Sequence, residues 1–154
     1  MQHKKLYLFA LLHLSLWSAT ANANVILHSE AGNVCEQISG PWTGTGTVSA
    51  NLRGIKIKCD YSGNAIATSS DPGVFSIDVT LTLISGLCPS SAHIVSPGTC
   101  DSETGTISLQ SDEADLTGTL SSDGRSANLT GTVQVPVKGR TLTATVEKMN
   151  LNKV

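Results

Sequence analysis

Aromatic side chains are scarce in this chain: 154 residues hold two each of Phe, Trp and Tyr. Histidine is scarcer than a hydrolase or metal site would suggest, with four in all. No C-x-x-C pair is present, and only His28 and His93 accompany the cysteines beyond the first 23 residues, so a zinc site has no ligand set of the usual spacing. G-x-G-x-x-G and P-loop patterns are missing, which removes support for a nucleotide cofactor. G-x-S-x-G is missing too, and with it the nucleophile elbow of the α/β-hydrolases. There is no basic run of the kind that tracks nucleic acid. Apart from a short arm before Cys35, no segment repeats its apolar residues at helical spacing.

The N-terminus is patterned as an export signal. "MQHKK" is basic, "LYLFALLHLSLW" is a short apolar run, and "ATANA" offers small residues at the cleavage positions, so the cut is expected before Asn24. Removing residues 1–23 takes Lys4 and Lys5 with it. Eight Lys/Arg then face twelve Asp/Glu, a net charge of −4 over 131 residues. Only Trp42, Tyr61 and Phe75 remain as aromatics. No later stretch is apolar enough to cross a membrane. The expected layout is a signal peptide over 1–23, an N-terminal arm over 24–39 and one β-domain over 40–154, placed in the periplasm or outside the cell.

Four cysteines in an exported chain imply two disulfides among Cys35, Cys59, Cys88 and Cys100, with three pairings open. The shortest closed loop, "CPSSAHIVSPGTC", favours Cys88–Cys100, which leaves Cys35–Cys59.

What the chain does have is strand periodicity. Phe75, Ile77, Val79, Leu81 and Leu83 alternate with Ser76, Asp78, Thr80 and Thr82, a strand with one buried and one wet face. Ile55, Ile57, Cys59 and Tyr61 repeat the pattern. Two turn signals follow, Asp123-Gly124 and Lys138-Gly139. Treated as two-residue loops, the first sets Leu120, Gly118, Leu116 and Ala114 opposite Ala127, Leu129, Gly131 and Val133. The second sets Val135, Val133 and Gly131 opposite Leu142, Ala144 and Val146. Both hairpins put the same residues of the shared strand on the apolar face, an agreement that a one-residue slip would destroy. Strands are expected over 42–50, 53–61, 64–69, 74–84, 105–110, 114–121, 126–135 and 141–148. The fold class is all-β: an antiparallel meander of seven to eight strands closed into a barrel, with a two-sheet sandwich as the alternative.

Gly40-Pro41-Trp42 at the head of the first strand resembles the G-x-W of the calycin barrels, the lipocalin and avidin group. A cysteine shortly before it is similar to avidin. The resemblance implies a meander barrel with Trp42 packed across its closed end. It carries over no biotin contact: avidin-type sites use several tryptophans, and one remains here. The inward positions Gly44, Gly46, Gly118, Gly131 and Ala144 are also smaller than the usual lipocalin lining.

No catalytic set emerges. His93 lies near Ser90 and Ser91, but neighbours in sequence do not make a triad. The acid cluster Asp112, Glu113 and Asp115 sits at an expected turn, where a solvated surface explains it better than calcium. No enzyme activity, cofactor or metal is therefore expected. The leading expectation is a non-catalytic binding module for a protein or glycan outside the cytoplasm, with Ser90, Ser91, His93 and Pro97 of the cysteine loop as the contact surface. The alternative is a calycin-like carrier of a small apolar ligand in a cavity near Trp42 and Tyr61. A further alternative is a secreted inhibitor or envelope-assembly subunit.

Overall fold

A computed structural model describes residues 33–137 and 139–154. The expected leader and most of the N-terminal arm lie outside the described residues. A 3₁₀ turn, Val34–Gln37, precedes eight strands: β1 Gly40–Leu52, β2 Ile55–Asp71, β3 Val74–Ser85, β4 Ser91–Cys100, β5 Thr106–Gln110, β6 Ala114–Leu120, β7 Ser126–Val137 and β8 Arg140–Lys153. Each strand pairs antiparallel with the next, and β8 returns to β1, so the sheet closes into a barrel rather than splitting into a sandwich. Closure pairs β1 with β8 and so removes the two terminal edges that an open meander would expose.

The core is the inward half of each alternation. Trp42, Ala65, Phe75, Ile77, Val79, Leu109, Leu116, Leu129 and Val146 are buried, while the threonines between them face outward. The hairpin registers are those required by the apolar pattern: Gly118 opposes Leu129, Leu116 opposes Gly131, and Val133 opposes Ala144. The Asp123-Gly124 turn is wider than a two-residue loop. Ser121 Oγ accepts from the amides of Arg125 and Ser126 and donates to Asp123 Oδ1, yet Leu120 still opposes Ala127.

Three departures from the sequence expectation have physical causes. The segments 53–61 and 64–69 are one strand. Gly63 bridges them, facing Gly44 on one side and Leu81 on the other, and a Cβ there would collide with the Leu81 side chain. Arg53 and Gly54, with φ of 53° and 84°, instead form the β1–β2 turn. The expected cysteine loop is largely strand β4. Its Pro97 is tolerated because Ser91–Pro97 pairs only with β3, and pairing to the short β5 begins at Gly98.

The third departure is in the disulfides, which are Cys35–Cys100 and Cys59–Cys88. The favoured pairing Cys88–Cys100 is excluded by β4 itself. Its ten residues span ~30 Å, whereas bridged Cα atoms lie within about 7 Å. The bridges sort by barrel end. Cys35–Cys100 ties the 3₁₀ turn to the end where β4 finishes, and Cys59–Cys88 ties β2 to the β3–β4 connection at the other end.

One irregularity re-aims a strand. Val48 opposes Val146 and Thr47 opposes Lys148, so Glu147 is an extra residue in β8. The inward set switches there from Ala144 and Val146 to Met149 and Leu151. That switch carries β8 past the point where a strict period of two would stop it.

Candidate functional site

The two ends of the barrel differ in chemistry. One end is plugged. Ile38 and Cys35 from the 3₁₀ segment are buried over it, the Trp42 indole N–H donates to the Ile38 carbonyl at 2.7 Å, and the Lys153 ammonium lies 5.8 Å from the Trp42 ring centroid. A void of ≈ 20 Å³ lies there, among Trp42, Phe75, Ile107 and Leu129.

At the opposite end lies a cavity of ≈ 350 Å³, within the range of sites that hold a small molecule. Its walls come from inward positions near the open ends of the strands: Val48 and Ala50 of β1, Ile57 and Tyr61 of β2, Leu81 of β3, Ala92 and Ile94 of β4, Val133 and Val135 of β7, and Leu142 and Ala144 of β8. The space arises from the sequence in two ways. Alanines stand at Ala50, Ala92 and Ala144, where leucines would fill the interior. Trp42 and Phe75, the other two bulky aromatics of the barrel, are committed to the plugged end.

Aliphatic carbon dominates this lining. Tyr61 is its aromatic member, and its hydroxyl donates to the Pro89 carbonyl at 3.0 Å. Burial pushes the phenol's pKa up, so Tyr61 stays neutral. The same contact and the Cys59–Cys88 bridge hold the β3–β4 connection as a lip over the cavity, with Leu87, Cys88 and Pro89 on its wall.

The residues singled out from sequence are therefore divided. Tyr61 lines the cavity; Trp42 is at the other end of the barrel. Ser91 and His93 border the cavity where β4 lacks a β5 partner. The His93 ring contacts Asp78 Oδ1 at 2.8 Å on the exposed outer wall. Pro97 lies farther along β4, exposed and opposite Ser76, and Ser90 accepts the Leu83 amide through its carbonyl. Asp112 and Glu113 of the acid cluster lie in the β5–β6 turn, where Ser111 Oγ accepts the amides of Glu113 and Ala114, and Asp115 follows in β6. Sequence reasoning missed Ala50, Ala92 and Leu87, and it placed Ala144 inward without assigning it to a cavity. The small inward residues carried the signal, since an interior lined with alanine either draws its walls together or leaves space.

A charged cluster sits outside the wall. Glu147, set on its bulge, reaches Lys56 at 2.8 Å and Lys58 at 2.9 Å. Hydrogen bonds from Lys56, Lys58 and Ser49 hold its carboxyl at a pKa of about 2. Asp60 accepts from Thr47 and Ser85, and those bonds keep its pKa low.

No family model matches the chain, and no curated protein matches it. Among solved structures it is similar to the siderocalin Ex-FABP, described as functioning through dual ligand specificities. That similarity has 15% identity over 77% of this chain and 74% of that one, with a TM-score of 0.42.

Proposed function

We propose that the protein is an exported carrier of a small, predominantly aliphatic molecule, held in the open end of the barrel. The observation that carries this reading is the ≈ 350 Å³ cavity walled mainly by aliphatic side chains, with Tyr61, Ser91, His93, Glu113 and Gln134 as its polar members, at the end opposite the Trp42 plug. Burying apolar ligand surface against such walls is favourable at roughly 25 cal/mol per Å² before the costs of association. The lining has no tryptophan or phenylalanine to stack on a flat ring, so chain-like ligands fit better than planar ones. Two disulfides suit an oxidising compartment, which agrees with the leader-like N-terminus. The contact-loop expectation loses its structural basis, because Ser91–Cys100 is a strand and not a stapled loop.

The test is titration with a fluorescent fatty-acid probe. The expected result is saturable binding that is abolished by Ala50→Phe or Ala92→Phe, each of which fills the cavity from one wall. Trp42→Phe, at the other end, should leave the affinity unchanged. Equal binding by the cavity-filling variants would overturn the proposal.

A further inference from the structure

The open end does not stop at the cavity. Four large aliphatic side chains around it stand in water: Leu87 on the lip is 91% exposed, Ile55 68%, Ile84 60% and Leu52 41%. Leu52 and Leu87 also belong to the cavity wall, so the exposed apolar surface and the interior are continuous. Leu52 and Ile55 flank the β1–β2 turn, and the Cys59–Cys88 bridge anchors Leu87 beside the same strand. This grouping lies on one side of the mouth.

The charges at the strand connections are arranged to match. Exposed Arg53 occupies the β1–β2 turn between Leu52 and Ile55. Around an eight-stranded meander the β5–β6 turn is diametrically opposite, and it carries exposed Asp112 and Glu113. Exposed Arg140 opens β8 a quarter-turn away. A surface of negative charge would attract the β1–β2 side, repel the β5–β6 side and tilt the mouth so that Ile55 and Leu87 enter first. Lys56 and Lys58 add little, because they share the Glu147 carboxylate and Lys58 also lies near Asp60, so that this cluster is close to neutral.

We propose that this side of the open end docks on an anionic lipid bilayer, with Ile55 and Leu87 inserted at the acyl boundary and Arg53 at the headgroups. Aliphatic side chains with an interleaved cation suit that interface. The proposal rests on the carrier reading for its purpose: a ligand dissolved in the bilayer would pass from acyl chains to the cavity over Leu87 and Leu52 without crossing water.

The experiment is flotation of the disulfide-bonded protein with vesicles of phosphatidylcholine mixed with phosphatidylglycerol, and with phosphatidylcholine alone. The protein is expected to float with the anionic vesicles and to be released by high salt. Ile55→Ser combined with Leu87→Ser removes apolar area without changing charge, and should lower the bound fraction at least about tenfold. Arg53→Ala should lower it about fivefold. Both positions are exposed, and circular dichroism of each variant checks the fold. Failure of the wild type to float, or its self-association through this surface in place of flotation, overturns docking. So does flotation that the double variant leaves unaltered. Fatty-acid probe binding in solution, measured on the same samples, separates the two proposals. Loss of flotation with probe binding retained supports docking, whereas flotation without any probe binding removes the carrier reading and leaves docking in place.

Discussion

Gly118 stands directly across from Leu129 in the β6–β7 pair, and a Cβ added to Gly118 would overlap the carbonyl oxygen of Asn128. The neighbouring strand wall is therefore closer at this point than any other residue type permits. Gly131, opposite Leu116, has the same role with a φ of 145°, a backbone conformation that side chains rarely adopt. Gly118→Ala is expected to destabilise the barrel by about 1–3 kcal/mol or more, the cost of forcing extra volume into a packed wall. Thr117→Ala, on the outer face one residue away, should stay within about 0.5 kcal/mol of the wild type. Urea denaturation of the two variants checks the contrast. A Gly118→Ala protein as stable as the parent would show that the strands can separate at no cost.

The same residues show why so much of the barrel could be read from the chain. In the β6–β7–β8 sheet every inward leucine or valine faces a glycine, an alanine or another aliphatic residue, so only one register satisfies both hairpins. Closure followed from the number of strands and the tightness of their turns. The parts that were not legible break the period of two. Glu147 shifts the parity of β8, and Gly63 presents no side chain to mark β2 as continuous. Pro97 and Gly98 gave β4 the composition of a loop. Tyr61 could be placed near a cavity because it shares a face with Cys59. Trp42 could not be separated from it, since the distance between the two residues depends on which end of the barrel each strand enters. Alternation along a strand can show which alanines point inward. It does not show that Ala50, Ala92 and Ala144 gather at one end.

The cysteines give the second prediction. A non-reducing peptide map should recover Cys35 linked to Cys100 and Cys59 linked to Cys88. The two bridges should also differ in function. Cys59 and Cys88 are 29 residues apart in sequence, and a loop of that size stabilises by about 3–4 kcal/mol in the chain-entropy model. Cys59→Ser with Cys88→Ser is expected to lose stability on that scale, and also to free the lip that carries Leu87 and Pro89, weakening ligand affinity. Cys35→Ser with Cys100→Ser should lower stability at the plugged end and leave affinity for the fatty-acid probe close to that of the parent. A map showing Cys88 joined to Cys100 would contradict the strand assignment of β4, because the two ends of that strand cannot meet.

Glu147 supplies a pH-dependent test of the bulge. Its carboxyl has an ordinary pKa of 4.5 and is held at about 2 by hydrogen bonds from Lys56, Lys58 and Ser49. A carboxylate whose pKa falls on folding binds fewer protons in the folded state than in the unfolded state, so stability rises with pH through this window. The contribution is fully present above about 4.5 and is lost as the pH falls toward 2. Glu147→Gln removes the charge that Lys56 and Lys58 share. It should lower the melting temperature by a constant amount from neutral pH down to about 4.5, with the gap from the wild type closing as the pH approaches 2. Asp101 and Asp123 also have lowered pKa values through their hydrogen bonds, but they titrate in both proteins and cancel in the difference. Asp60, lowered mainly by its bonds from Thr47 and Ser85, feels the Glu147 charge as its smallest influence and shifts slightly further down in the variant. Raised salt should narrow the gap at neutral pH, since the pairs lie on the surface. A gap that persists unchanged at pH 2 would assign the loss to the shape of the bulge and not to the ion pairs that it presents.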